Sequence, residues 1–165
     1  MREMRLSKRE VKDPMALRQI VEDCDVVRIG AVDEEGMFIV PVNFGYEMME
    51  GEGVTVLKLY FHSASQGRKA EAFRKSPEVA IEMDCSHELI RGSYSCSYSY
   101  GFRSIMGNGV VRGITRNDEK LHALKLLMEH TGAPEAVTFS EDAVDRVNVY
   151  CIEVKSFTGK MRTSD

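Results

Sequence analysis

The sequence predicts a small antiparallel β-barrel, α+β in content but mainly β, built from about six strands with peripheral helices packed outside. Strand signals follow one another in quick succession, joined by hairpin-length connections. Residues 79–85 alternate cleanly, with Val79, Ile81, Met83 and Cys85 on one face and Ala80, Glu82 and Asp84 on the other. That pattern marks a sheet buried on one side only. No regular strand–helix alternation runs through the chain, so a doubly wound parallel sheet is not expected.

Residues 1–12 form a charged arm with five basic and two acidic residues, which reads as a solvated tail. The folded domain is expected over 13–160. Asp13-Pro14 offers an N-cap followed by proline at the first helical position. The helix then runs through MALRQIVED, with Leu17, Ile20 and Val21 at helical spacing. VVRIGAV (26–32) and MFIVPVNFGYE (37–47) read as two strands of a hairpin around the turn DEEG. A glycine-rich turn (50–53) leads to the strand VTVLKLYFHS, and Pro77 ends a short helix covering about 66–75. After the strand 79–85 comes a serine- and tyrosine-rich connection (86–101), read as partly extended, and then a long strand (102–115). Asn117 is expected to cap a helix carrying Leu121, Leu124, Leu127 and Met128, ended by Gly132 and Pro134. The last strand is expected over 147–157.

The length of 165 residues is that of a single domain. Hydrophobic residues at 43% and charged residues at 29% fit a soluble globular protein and not a disordered one. A net charge of −4 gives no nucleic-acid footprint. No apolar run approaches the roughly 20 residues of a membrane span, and the charged N-terminus has no signal-peptide core. A cytoplasmic protein without membrane or nucleic-acid partners is therefore expected. The four cysteines, Cys24, Cys85, Cys96 and Cys151, show no paired spacing and read as thiols. Cys85, His87 and Cys96 do not match structural zinc spacings, so no metal site is expected. No feature marks any cysteine as an activated nucleophile.

Chemistry is best placed in YFHSASQGRK (60–69), where a strand ends, a polar turn with Ser63, Ser65 and Gly67 follows, and a helix begins. Unpaired N–H groups at a helix start attract anions. Arg68 and Lys69 in that first turn oppose the helix dipole unless an anion such as a phosphate sits there; a solvated basic helix start is the alternative. In PVNFGY (41–46), a proline within a strand must face an edge, a bulge or a ligand. Val42, Phe44 and Tyr46 on one face suit either a flat ring or ordinary core packing. GNGVVRG (107–113) is not a dinucleotide fingerprint, because position 112 is arginine and a strand, not a helix, follows. Its glycines mark a barrel bend or a close approach instead.

The motifs VVRIGAVDEEGMFIVPVNFGY, LYFHSASQGRK and FRSIMGNGVV, in this order and spacing over about residues 10–160, resemble the flavin-binding split barrels related to pyridoxamine 5′-phosphate oxidase. The resemblance is strongest to the 5-nitroimidazole-resistance (nitroimidazole reductase) branch. It implies a six-stranded antiparallel split barrel that forms a homodimer, with FMN (or, alternatively, FAD) at the subunit interface. It also implies that Pro41, Val42, Asn43 and Phe44 lie along the isoalloxazine ring. By the same resemblance, His62, Ser63, Ala64, Gly67, Arg68 and Lys69 are expected to hold the ribityl phosphate, with Arg103 and Ser104 on a strand near the cofactor. The function implied is an FMN-dependent oxidoreductase acting on a small electron-poor substrate, a nitroaromatic such as a 5-nitroimidazole. The alternative is a non-catalytic flavin or haem carrier on the same barrel. His62 is the catalytic candidate, as a proton donor, with contact to the phosphate or ribityl chain as its other role. The tail SFTGKMRTSD has no histidine and the chain no tryptophan, and His62-Ser63 replace a threonine–asparagine pair. Oxidation of the vitamin phosphate itself is therefore not expected.

Overall fold

The computed structural model describes residues 5–51, 54–64, 66–133 and 138–163. Eight strands and four α-helices are present among them: β1 (Glu10–Val11), α1 (Pro14–Glu22), β2 (Val27–Asp33), β3 (Gly36–Val42), β4 (Gly45–Gly51), β5 (Val54–Ser63), α2 (Arg68–Lys75), β6 (Glu78–Ile90), β7 (Ser99–Ile114), α3 (Asn117–His130), α4 (Glu141–Arg146) and β8 (Asn148–Arg162). Short 3-10 turns cover Ser7–Arg9 and Ser95–Ser97.

Local chemistry accounts for much of this. The Asp13 carboxylate accepts the Ala16 N–H at 3.0 Å, so α1 starts at Pro14 as its cap dictates. The β2–β3 hairpin turns on Glu34-Glu35, and Gly36 supplies the positive φ of 115° that the turn needs. Val79, Ile81 and Met83 are buried while Ala80 faces out, as the alternation requires. Asn117 is not the cap of α3: Arg116 stands there, and the Asn117 amide instead donates to the Asp145 carboxylate on α4.

The strands form one sheet in the order β3-β2-β6-β7-β8-β5-β4, with β1 added beside β8 and every pairing antiparallel. The expectation of six strands is corrected at both ends. Glu10 and Val11, the end of the charged arm, pair with Lys160 and Gly159, and Val11 is buried in the core. The expected single strand 37–47 breaks at Asn43-Phe44, because the chain there leaves one edge of the sheet and starts the other. Three Cα steps join Val42 to Gly45, a reach of at most about 11 Å. The two edges therefore lie close together without pairing, and the sheet curls into a barrel split between β3 and β4.

Ile29, Leu57, Leu59, Phe61, Ile81, Met83, Ile105 and Ile152 fill the barrel, with α1 adding Ile20 and Val21. From α2, Phe73 packs edge-on against Phe61 and Tyr150. A second cluster, with Tyr60, Leu124, Val144 and Val149, joins α3 and α4 to the outside of β5 and β8. Gly45 lets α3 lie flush on β4: a Cβ there would sit 2.4 Å from the Leu127 nitrogen. Gly107 and Gly109 flank a bulge in the β7–β8 pairing, where added Cβ atoms would meet the Ser156 and Glu153 carbonyls at 2.6 and 2.7 Å. Close approach is thus the role of these glycines, as their place in a strand predicts.

Candidate functional site

The turn after β5 and the start of α2 come together as a small polar platform. His62 and Ala64 are exposed and Ser63 is half-buried, while Ser65 lies outside the described residues. Gly67 has a φ of 104° and open space around its Cα, so the chain enters α2 with no side chain capping its first turn. Lys69 is half-buried, forms no ion pair with any described residue, and burial holds its ammonium below the usual lysine range. A desolvated cation beside uncapped helix N–H groups suits an anion.

Arg68 solves its dipole conflict differently from the phosphate contact expected of it. Its guanidinium makes a two-pronged bond to the Asp33 carboxylate at 2.6 and 2.9 Å, approaches Glu35 at 3.5 Å, and lies 4.4 Å from the centre of the Phe38 ring. Arg68 in turn holds the Asp33 carboxyl below the usual carboxylate range. Lys75 ties the same hairpin to α2 through Glu34 at 2.8 Å. Arg68 must leave Asp33 to reach an anion in the turn, whereas Lys69 is already uncommitted.

From Phe38, beneath Arg68, the edge strand β3 runs to Pro41 and Val42, about 13 Å further at the usual rise. Pro41 is exposed on this edge, where its missing N–H breaks no ladder. Val42 is half-buried against the core. Asn43 donates from its amide to the Asp25 carbonyl at 2.9 Å. Phe44 is wholly buried, its ring 4.6 Å from that of His130, so it supports the segment from within. Arg103 lies at this same end, bonded to Asp23 at 3.1 Å. Ser104 is separate from it, pairing with Asp84 and Lys160 on the outer face of the sheet.

The predicted residues therefore fall into three places: the α2 platform, the 41–44 crossing with Arg103, and the outer face with Ser104. That outer face holds a feature the sequence reading missed. A depression of about 690 Å³, lined in part by Arg28, Gly30, Ile39, Ala80, Ser104 and Met106, crosses β2, β3, β6, β7 and β8. Around it Met37, Ile39 and Met106 are 90, 69 and 60% exposed. Phe38, Val40 and Val42 turn inward onto the core; the alternate residues Met37 and Ile39 are the exposed ones. Their alternation with Phe38 and Val40 is the signal that would have found it.

His122 is exposed and bonds Glu47 at 2.8 Å, whereas His130 is half-buried and donates from Nε2 to the Cys24 carbonyl at 2.9 Å. His87 bonds Asp84 at 2.7 Å and stacks near Tyr100. Among the described residues no group of three or more histidine, cysteine or acidic side chains is placed to hold a metal. No helix of the described residues is long and apolar enough to cross a membrane.

The family model for pyridoxamine 5′-phosphate oxidase matches residues 13–161. Among solved structures, a candidate 5-nitroimidazole antibiotic resistance protein of Bacteroides thetaiotaomicron is 32% identical, with a TM-score of 0.77, covering 92% of this chain and 86% of its own. A flavocytochrome of Azotobacter vinelandii (18% identity, TM-score 0.77, covering 98% of this chain and 72% of its own) shares the fold. So does an FAD- and haem-binding protein of Mycobacterium smegmatis (14%, 0.76, 93% and 73%). No curated protein sequence matches.

Proposed function

The chain belongs to the pyridoxamine 5′-phosphate oxidase family, and from that premise we propose that it is an FMN-dependent oxidoreductase that reduces a small electron-poor substrate, a nitroaromatic such as a 5-nitroimidazole. The observation that carries the reading is Lys69, a half-buried cation without a carboxylate partner among the described residues, set in the first turn of an uncapped helix. The residues fit a flavin phosphate there, because Gly67 leaves the turn open and Lys69 supplies the charge. Bound FMN supplies the hydride and electron chemistry, and the protein supplies binding, orientation and water exclusion. Lys69 and the α2 N–H groups anchor the phosphate, and Arg68 joins them on release from Asp33. The exposed edge at Pro41 and Val42 borders the ring, and Asn43 is held in place by Asp25. His62, exposed at the strand end, holds or moves the proton that accompanies reduction. The 32% identity to the candidate nitroimidazole resistance protein supports the substrate class.

The active unit is a homodimer. The exposed Met37, Ile39 and Met106 around the outer depression give an apolar patch of the kind that marks an interface. Two-fold pairing through it brings Ser104 and its neighbours toward a partner's site, which suits a flavin cleft shared between subunits.

Steady-state turnover under anaerobic conditions, with reduced nicotinamide and a 5-nitroimidazole, tests the function. Loss of the nitro absorbance in proportion to protein is expected. A protein that binds flavin but never passes electrons to any acceptor is a carrier, and an FAD- and haem-binding protein shares this fold.

A further inference from the structure

The charged arm is fixed against the far end of β8. Glu10 and Val11 pair with Lys160 and Gly159, and Val11 is buried. Gly159 permits this approach: a Cβ there would sit 2.3 Å from a Leu17 methyl and 3.1 Å from the Val11 Cβ. The 3-10 turn Ser7–Arg9 comes just before, closed by the Arg9 N–H on the Leu6 carbonyl at 2.9 Å. Lys8 and Arg9 are thus carried on a hydrogen-bonded turn beside the strand end that carries Arg162. A cavity of about 590 Å³ lies there, lined in part by Lys8, Arg9, Glu10, Ile90, Met161 and Arg162. Three cations therefore converge on one cavity. None of the three makes an ion pair or a side-chain hydrogen bond with a described residue, whereas Arg28, Arg68, Arg103 and Arg112 each bind a carboxylate. Glu10, the acidic residue of this lining, already faces Lys12 at 3.3 Å. Gathered like charges repel one another unless an anion compensates them. Arg9 and Arg162 are half-buried, where solvent screens that repulsion less than at an open surface. The chain as a whole carries −4, so the basic cavity is a local arrangement and not a consequence of composition.

We propose that this cavity is a second binding site, which takes a nucleoside diphosphate between the arm and the end of β8. The charge of a diphosphate matches three converging cations. The Arg9 and Arg162 guanidinium groups suit phosphate oxygens two at a time, and Lys8 adds a point charge. Ile90 is half-buried and Met161 is 41% exposed, so the same wall offers an apolar surface to the base, and a thioether packs well against an aromatic ring. The volume falls within the roughly 300–1,000 Å³ of small-molecule sites. The site stands at the opposite end of β8 from Asn148, whose register partner Ser63 belongs to the α2 platform. It shares no residue with the proposed flavin site and does not depend on flavin chemistry. A ligand there joins the arm to β8 through its phosphates.

Isothermal titration calorimetry of the full chain with adenosine 5′-diphosphate (ADP) tests this. ADP should bind wild type and Lys69→Ala with the same affinity, because the α2 turn is not used. Arg9→Gln and Arg162→Gln should each weaken binding at least about tenfold, and added sodium chloride should weaken it in wild type. Arg146→Gln, which changes an exposed arginine on α4, should bind ADP as wild type does. Adenosine and inorganic pyrophosphate should each bind more weakly than ADP, since each lacks one half of the contact. ADP should also slow tryptic cleavage of wild type after Lys8 and Arg9, a readout that needs no variant. Absence of ADP binding at millimolar concentration, unchanged affinity in Arg9→Gln and Arg162→Gln, or unaltered cleavage of the arm would overturn the site. Loss of binding in Lys69→Ala would place ADP in the α2 turn and overturn it as well. Pyrophosphate bound as tightly as ADP would overturn the nucleoside contact with Ile90 and Met161.

Discussion

Replacing Lys69 by alanine isolates the contact on which the proposed flavin binding depends. Lys69 is half-buried, pairs with no described carboxylate, and already has its charge disfavoured by burial. A phosphate in the α2 turn therefore meets a cation that breaks no other bond on binding. A hydrogen bond to a charged group is worth about 1.5–3 kcal/mol, so Lys69→Ala should weaken FMN binding about 10- to 150-fold. Arg68→Ala should cost less, since Arg68 must give up its two-pronged contact with Asp33 before it helps. By the same reasoning Asp33→Asn, which frees Arg68, should tighten FMN. Quenching of flavin fluorescence gives each dissociation constant. Riboflavin, which has no phosphate, should bind wild type and Lys69→Ala alike. FMN affinity within twofold of wild type for Lys69→Ala, or an equal loss with riboflavin, would refute the placement of the phosphate.

Gly45→Ala should destabilise the fold by about 1–3 kcal/mol or more in denaturant titration, because its Cβ meets the α3 backbone, which cannot move aside as a side chain could; a loss under 0.5 kcal/mol would contradict the flush α3–β4 packing. Burial and the bond to the Glu22 carboxylate raise the Tyr46 phenol to about 12. Its contribution to stability is thus complete below the ordinary tyrosine value of about 10 and disappears as pH rises through about 12. Tyr46→Phe should flatten that alkaline loss in thermal melts, and an unchanged slope would count against the assignment. Ile39→Glu, which sets a charge in the exposed outer patch, should convert dimer to monomer in sedimentation experiments; a wild type that sediments as a monomer at micromolar concentration would remove the shared-cleft model.

What the sequence made legible was local. The Asp13 cap, the 33–36 hairpin turn and the 79–85 alternation each depend on residues within a few positions of one another, and each is present in the structure. The break at Asn43-Phe44 was not legible, because it is made by two sheet edges meeting and not by a turn residue. Arg68 was recognised as a cation in a helix first turn, but its partner Asp33 lies far back in the chain and only the fold brings them together. Glu10 and Val11 look like the end of a charged arm until β8 proves long enough to pair with them. On β3 both faces are apolar, so periodicity alone does not say which face is exposed; the structure exposes Met37 and Ile39 and turns Phe38 and Val40 inward.

The visible absorbance spectrum of the purified protein, before and after addition of FMN, tests the central claim most directly. The account predicts the two visible bands of a bound flavin, either as purified or on stoichiometric addition of FMN, with the added flavin retained through gel filtration. A Soret band alone, or a colourless protein that releases all added FMN, would contradict it.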